Sequence, residues 1–238
     1  MMRKRAYYSM MLAGFLLATL MSVPAAAVAG GSHAFTTDRP SQSDASTLVP
    51  PGYLQMEAGY TWSEDDSAGV MTETHSAPNL VMRYGMADWF ELRVGWDGYQ
   101  WIETDPDLTP DGAGDGQVSA KFYLWQEAGW RPETTLLAGT TLPFGEDGIS
   151  SDRIDPFFRF LLTHSLPAGF SFSSNLGVTW KTLTTASGRK DTAPDFTYTA
   201  LLGYSVTPNL DGFVEFFGSV PLDDDRDRVL NSPSAEDR

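Results

Sequence analysis

The stretch GFSFSSNLGVTWK, residues 169–181, alternates apolar and polar side chains almost without fault. One parity carries Phe170, Phe172, Leu176, Val178 and Trp180, whereas the other carries serine, asparagine, glycine, threonine and lysine. A period of two residues predicts a β-strand, because successive side chains of a strand point to opposite faces. The apolar face must be buried against a protein core or against lipid, and these two environments imply different classes of protein.

Eight further segments have a strand-like pattern with turn residues between them; seven repeat this alternation, whereas TTLLAGTTLP (134–143) is ambiguous in parity because both faces carry a leucine. They cover residues 53–62, 80–84, 89–96, 117–126, 134–143, 157–164, 196–204 and 213–221. The predicted strands are roughly 8 to 12 residues long, about the length that crosses a bilayer at a tilt. Aromatic residues make up 13% of the chain, which also suits a β-rich protein. The sequence therefore predicts an all-β chain of nine antiparallel strands.

The first 29 residues differ from the rest and have the parts of a secretory signal peptide. A basic start with Arg3, Lys4 and Arg5 precedes an apolar core of about 15 residues and then small residues. Cleavage after Ala27 or Ala29 satisfies the small-x-small rule. A retained membrane anchor is the alternative, but a spanning helix needs roughly 18 apolar residues. We expect export by the general secretory route, and a fold without disulfides because the chain has no cysteine.

The chain is strongly acidic, since 16 basic and 31 acidic residues give a net charge of −15. Loss of the three basic signal residues leaves 13 basic against 31 acidic residues, a net charge of −18. Nucleic acid is therefore not an expected partner, because binding to phosphate requires a basic surface.

Charged side chains within the predicted strands all lie on the polar parity. These eight residues are Glu57, Arg83, Glu91, Arg93, Lys121, Arg159, Lys181 and Glu215. Lipid excludes charges from the apolar parity, since a mid-membrane Arg or Lys costs about 2–4 kcal/mol. The pattern therefore favours a transmembrane β-barrel in which these eight residues face the lumen. There, the opposed charges either select solutes at a constriction or pair with one another and fill the interior.

Aromatic residues at the predicted strand ends indicate two girdles at the membrane interfaces. Trp62, Trp96 and Trp180 precede predicted long loops, whereas Tyr84, Trp125 and Tyr204 precede predicted tight turns. The predicted long loops cover residues 63–73, 97–116, 144–153 and 182–194. Alternation of long and short connections is typical of outer-membrane barrels. A soluble periplasmic β protein is the alternative, because any half-exposed antiparallel sheet also alternates.

Seven segments resemble a family of bacterial outer-membrane proteins named for the meta-pathway of phenol degradation. They are FTTDRPSQSD (35–44), VPPGYLQMEAGYTW (49–62), RYGMADWFELRVGWDGY (83–99), GAGDGQVSAKFYL (112–124), TLPFG (141–145), NLGVTW (175–180) and LLGYSVTPNLDGFVEFFGSVP (201–221). The resemblance implies an outer-membrane β-barrel of a Gram-negative bacterium that takes up or exports small, often aromatic, compounds. Its implied partners are outer-membrane lipid, the barrel assembly machinery and a small-molecule solute.

The end of the chain departs from this family. After Pro221 comes the polar stretch LDDDRDRVLNSPSAEDR, where the family continues through further strands to a terminal aromatic residue. Nine strands of an expected total of about twelve leave the barrel incomplete or unclosed. The predicted organisation is a signal peptide at 1–29, a periplasmic extension at 30–52, barrel strands at 53–221 and a charged tail at 222–238.

No group of residues predicts catalysis. His33, His75 and His164 are scattered, and adjacent His164 and Ser165 point to opposite faces of a strand. The loop at 105–116 contains four aspartates but lacks the residue order of a calcium-binding loop, so we expect a solvated acidic loop. We therefore expect no catalytic residue, no metal and no cofactor.

The role of the residues before the first strand stays open. Asp38 and Arg39 either lie inside the barrel mouth, where they pair or form a plug, or belong to a periplasmic extension with a proline-set turn. The function that the sequence favours is an outer-membrane channel or transporter-like barrel without catalysis. The alternatives are a structural or surface-interaction protein of the outer membrane, a soluble periplasmic β protein and an outer-membrane hydrolase.

Overall fold

The computed structural model describes residues 37–38, 41–67, 70–104, 110–184, 190–207 and 210–223. The predicted signal peptide, His33, Arg39 and most of the predicted tail lie outside these ranges. Within them the strands are β1 (Leu54–Ser67), β2 (Val70–Ala87), β3 (Phe90–Trp96), β4 (Tyr99–Thr104), β5 (Asp111–Ala113), β6 (Gly116–Trp125), β7 (Glu133–Leu142), β8 (Pro156–Ser165), β9 (Phe170–Thr184), β10 (Lys190–Thr207) and β11 (Leu210–Pro221). One short 3-10 helix, Pro167–Gly169, joins β8 to β9. In the described part of the chain, none of the helical segments has the length and hydropathy that a membrane-spanning helix requires.

The eleven strands occupy nine rows of one antiparallel sheet. β3 and β4 lie end to end along one side of β2, and β5 and β6 continue one another in the next row. The break between β3 and β4 includes Gly98, whose φ of 81° lies in the left-handed region that favours glycine. Each row contains one of the nine predicted segments. The predicted all-β antiparallel fold is therefore confirmed.

Several strands are longer than the alternation predicts. The predicted loop at 63–73 is wrong, because β1 and β2 both extend into it. Strands also occupy parts of 97–116 and 182–194, whereas 144–153 contains no strand. The extensions carry polar residues on both parities, so no apolar alternation marks them in the sequence.

The register of the sheet separates an apolar face from a polar face. One line of paired residues crosses all nine rows as Leu54, Tyr84, Leu92, Ala120, Ala138, Phe158, Val178, Phe196 and Val220. The adjacent line of opposite parity contains Gln55, Arg83, Arg93, Ser119, Gly139, Phe157, Thr179 and Asp195. The two parities of the sequence thus become two faces of the sheet.

The polar face is concave, because a short stretch of chain reaches both edges of the sheet from that side. The main-chain N–H of Asp38 donates to Glu57 on β1 (3.1 Å), and that of Gln42 donates to Glu215 on β11 (2.8 Å). A flat sheet of nine rows is about 38 Å wide, whereas the step from Asp38 to Gln42 spans at most about 15 Å. The sheet therefore curls into an open half-barrel. Within the described residues β1 and β11 do not pair with each other, so the prediction of an unclosed sheet is confirmed.

Burial is inverted relative to that of a water-soluble protein. Among the described residues, five hydrophobic residues are buried, against eighteen polar or charged residues. On the convex face, Leu54, Met56, Val214 and Phe216 are between 61% and 71% exposed. Water-soluble proteins bury these residue types preferentially, and a large contiguous apolar surface indicates contact with another apolar phase or partner. The convex face is therefore the one that needs a non-aqueous neighbour.

Candidate functional site

The chain before β1 lies against the concave face of the half-barrel. We call residues 37–38 and 41–51 the inner segment. The main-chain N–H of Val49 donates to Glu91 on β3 (2.7 Å), and the hydroxyl of Ser46 donates to Glu133 on β7 (2.6 Å). Together with the contacts to β1 and β11, these bonds attach the inner segment to rows across the whole sheet. Of the alternatives for Asp38, an interior position is the one observed.

The inner segment joins β1 through a tight contact with Gly85 of β2. The N–H of Gly52 donates to the carbonyl of Gly85 (2.8 Å), and the N–H of Gly85 donates to the carbonyl of Tyr53 (3.1 Å). A Cβ atom on Gly85 would lie 2.2 Å from the carbonyl oxygen of Pro50 and 2.3 Å from that of Val49. Only glycine at position 85 therefore allows the inner segment to approach this closely.

Arg83 on β2 is the most highly connected charge on the concave face. Its guanidinium binds both carboxylate oxygens of Glu91, with Nε–Oε1 2.9 Å and Nη2–Oε2 3.2 Å. The Nη1 atom also lies 3.2 Å from Glu57 and 3.3 Å from Asp38. The Arg83 side chain is 1% exposed, so these carboxylates rather than water compensate its charge.

Among the described residues, Arg93 on β3 forms its ion pairs with the inner segment. Its Nη2 atom lies 2.9 Å from Asp38 Oδ2 and 2.9 Å from Asp44 Oδ1. The Nε and Nη1 atoms of the same guanidinium are buried and make no hydrogen bond within the described ranges. Buried nitrogens without an acceptor are uncommon in native proteins, so this guanidinium has spare donor capacity.

Lys121 and Arg159 complete the basic side of the site from β6 and β8. Lys121 Nζ donates to the carbonyl of Ala45 (2.8 Å) and lies 3.4 Å from Asp38 Oδ1. Arg159 Nη1 lies 3.3 Å from Asp44 Oδ2, and its guanidinium lies 4.9 Å from the centre of the Phe157 ring. Arg159 therefore combines an ion pair with a cation–π contact.

These contacts form one charge-balanced cluster, which we call the ion network. It comprises Arg83, Arg93, Lys121, Arg159, Glu57, Glu91, Asp38 and Asp44. Burial by itself would raise the pKa of the Asp44 carboxyl, but nearby positive charges, chiefly Arg93 and Arg159, outweigh burial and hold that pKa well below its usual range. Asp44 therefore stays ionised at neutral pH.

Six of the eight predicted lumen-facing residues belong to the ion network, and the other two lie elsewhere on the concave face. Glu215 binds the inner segment through Gln42 and the hydroxyl of Ser43 (2.5 Å). Lys181 pairs with Asp195 of the neighbouring strand (3.3 Å). Sequence reasoning missed Asp44, because the inner segment has no periodicity that indicates where its side chains point.

The six aromatic residues predicted for the membrane interfaces lie on the convex parity. Tyr84, Trp96, Trp180 and Tyr204 reach it by strict alternation, and Trp62 lies beyond an irregularity between Gly59 and Thr61, opposite His75. Trp125 reaches it through an irregularity after Tyr123, which places Trp125 opposite Thr134. Trp62 and Trp180 lie inside β1 and β9 rather than at their ends, so that part of the prediction is wrong. The contact of these residues with lipid headgroups stays a prediction.

The two histidines in the described part of the chain, His75 and His164, contact a tyrosine and a glutamate. His75 Nδ1 lies 2.6 Å from the hydroxyl of Tyr60. His164 Nδ1 lies 2.9 Å from Glu127, and the hydroxyl of Ser165 donates to the same carboxylate (2.9 Å). His164 and Ser165 therefore both contact the Glu127 carboxylate, each through a different carboxylate oxygen.

The acidic loop at 105–116 is described only from residue 110 onward. There, Asp115 accepts main-chain N–H groups of Gly145 (3.1 Å) and Ser151 (2.9 Å), and Asp111 accepts from the hydroxyl of Tyr99. These two carboxylates therefore organise the protein itself. Within the described ranges no three metal-ligating side chains cluster.

A half-barrel with an apolar convex face and a charged concave face defines a β-barrel-like protein, and its organisation is compatible with an outer-membrane barrel. The chain belongs to the family described as "Putative MetA-pathway of phenol degradation", whose model matches residues 37–233. The match confirms the resemblance found in the sequence, and it includes the inner segment. No curated protein matches the chain.

Proposed function

We propose that this protein is an outer-membrane β-barrel that passes small solutes without catalysis, and that the inner segment closes its interior. One observation carries the proposal: the same sheet presents an apolar convex line across all nine rows and a buried ion network on its concave face. Lipid suits the first face, and a polar path suits the second. The family description, which refers to phenol degradation, supports a small aromatic solute.

The location is tested by fractionation of the full chain expressed in a Gram-negative host. We expect the protein in the outer-membrane fraction, released by detergent and not by salt or alkali, because its apolar face is in lipid. The recovery of a dissolved monomer from the periplasm would contradict the proposal.

The passage of solutes is tested by conductance in a planar bilayer. We expect low conductance for the unchanged protein and higher conductance for the double variant Asp38→Asn/Asp44→Asn, because the variant loses the ion pairs that hold the inner segment. The matched control is Arg153→Gln, an exposed side chain outside the ion network. Inserted protein that never conducts, in either form, would overturn the transport function.

A structural or surface-interaction role is the second candidate function. The observation that favours it is the charge balance of the ion network, because paired charges commonly fill small barrels completely. The conductance experiment separates the two candidates: the transport function predicts higher conductance for the double variant, whereas the structural role predicts none.

A further inference from the structure

The basic residues of the ion network differ in where their partners come from. Arg83 binds Glu57 and Glu91 of the sheet itself in addition to Asp38 of the inner segment. We call the other three, Arg93, Lys121 and Arg159, the basic patch. Among the described residues, every ion pair of the basic patch goes to the inner segment and none to the sheet. Withdrawal of the inner segment would therefore leave these three side chains without their ion-pair partners, and the four basic residues of the ion network would face only Glu57 and Glu91.

We propose that the basic patch is a binding site for a small organic carboxylate, and that Asp38 and Asp44 occupy it as internal substitutes. The proposal rests on the proposed function, because it gives the solute of the barrel a chemical class. An incoming carboxylate replaces the aspartate carboxylates at the basic patch and thereby releases the inner segment.

The contacts of Asp44 show which chemical group fits the basic patch. One carboxylate oxygen lies 2.9 Å from Arg93 and the other 3.3 Å from Arg159. A planar group with two charged oxygens bridges two guanidinium groups in this way, since each oxygen accepts from a different donor. A neutral alcohol offers one uncharged oxygen and cannot make both bonds.

The basic patch has donors that could bind a further acceptor. Arg93 is 5% exposed, yet its Nε and Nη1 atoms have no hydrogen-bond partner among the described residues. The hydroxyl of Ser119, the residue opposite Arg93 in the next row, is likewise buried without a partner in the described part of the chain. The aspartates of the inner segment therefore satisfy this part of the site incompletely, and a free carboxylate that positions itself better would compete with them.

Apolar side chains next to the basic patch fit the body of an organic anion. Phe157, Leu137 and Leu161 form the buried hydrophobic cluster of the concave face, and the Arg159 guanidinium lies over the Phe157 ring. Gly139 allows this part of the sheet to pack closely, since a Cβ atom there would lie 2.4 Å from Ser119 Cβ and 2.8 Å from Phe157 Cζ. We therefore expect the ligand to carry an apolar group, which would contact these side chains once the inner segment has moved away.

Equilibrium binding of benzoate tests the proposal, with benzyl alcohol as the neutral probe of similar size. Calorimetry on the detergent-solubilised full chain should give about tenfold tighter benzoate binding for Asp38→Asn/Asp44→Asn than for the unchanged protein, because the variant removes the carboxylate charges that compete with benzoate. Addition of Arg93→Gln to that variant should abolish the gain, and Arg153→Gln should leave binding unchanged. Equal binding of benzoate and benzyl alcohol would overturn the proposal.

A single cysteine provides a second test that does not depend on the aspartate variants. The chain has no cysteine, and Ser46 in the inner segment is 1% exposed. In Ser46→Cys, maleimide should label the new cysteine several-fold faster when benzoate is present than when benzyl alcohol is present, because benzoate releases the inner segment. Asp147→Cys, in an exposed loop, is the control and should react at one rate throughout. A Ser46→Cys rate that benzoate does not change would overturn the displacement.

The two proposals fail in different ways. If benzoate binds and speeds labelling of the cysteine at position 46, but the protein does not conduct in the bilayer, the carboxylate site is supported and the transport function is overturned. If the double variant conducts more than the unchanged protein, but benzoate binds no more tightly than benzyl alcohol, transport is supported and the carboxylate site is overturned.

Discussion

Arg83 connects carboxylates from three parts of the protein: Glu57 on β1, Glu91 on β3 and Asp38 in the inner segment. In Arg83→Met these carboxylates lose their main compensating charge while they stay buried. We expect a decrease of about 3–5 kcal/mol in the free energy of unfolding, which is typical when one partner of a buried ion pair is removed. Denaturant unfolding of the purified protein measures it.

The matched control for this prediction is Arg153→Gln. Arg153 is exposed, and the hydrogen bonds described for it use its main chain. We expect a change within about 0.5 kcal/mol, as for most surface substitutions. Equal losses in the two variants would show that Arg83 has no special structural role.

Asp44 makes the attachment of the inner segment depend on pH. Because its folded-state pKa is lowered, Asp44 stabilises the folded state fully above its unfolded pKa of about 4, and this contribution is lost as the pH falls through the folded-state pKa. The difference in unfolding free energy between the unchanged protein and Asp44→Asn should therefore be largest at neutral pH and shrink in acid. Unfolding curves at several pH values measure it, and a difference that grows toward acid would contradict the argument.

Side-chain positions could be predicted in the strands but not in the inner segment. Parity alone indicates the face of Arg83, Arg93 and Lys121, because a strand has a strict period of two. The same reasoning does not reach Asp38 and Asp44, since their stretch is irregular and its position depends on contacts with strands far away in the sequence. The partners of the charges therefore became known only from the structure.

Among the structural elements, the inner segment depends most on a single glycine. In Gly85→Ala, the new Cβ atom would collide with two carbonyl oxygens of the inner segment, so the segment must move away from β2. We expect a loss of about 1–3 kcal/mol in unfolding free energy, as for other overpacked sites. Combined with Ser46→Cys, the variant should also speed maleimide labelling without any ligand.

Gly212→Ala on β11 is the control for this prediction. No atom lies within 4 Å of a Cβ atom built at Gly212. The alanine there should leave both stability and labelling nearly unchanged. A similar effect in both variants would mean that glycine flexibility, rather than close packing, explains the result at position 85.

The strands themselves could be predicted wherever their two faces differ in polarity. Eight of the nine rows contain a segment that alternates, such as 169–181, because one face is apolar and the other is polar; in the row of β7, both parities of 134–143 carry a leucine. Where a strand is polar on both faces, as in much of 63–73, the sequence resembles a loop. Parity also could not predict the face on which Trp125 lies, because an irregularity after Tyr123 shifts the register by one residue.

At the scale of the whole molecule, the environment of the convex face is the property to test. Leu176 lies on that face and is 38% exposed. If lipid covers it, Leu176→Arg should cost about 2–4 kcal/mol of folding free energy in bilayers and reduce the amount of inserted protein. Leu176→Ile is the control. An arginine variant as stable and abundant as the control would indicate that water, not lipid, surrounds this position.

The number of rows has a directional consequence for the two free edges of the sheet. Neighbouring rows run in opposite directions, so β1 in the first row and β11 in the ninth run the same way. A direct seam between these edges would be a parallel one, and a wholly antiparallel cylinder requires an odd number of intervening strands. Any polypeptide that fills the gap in antiparallel fashion must therefore enter and leave at opposite rims, which a single hairpin cannot do.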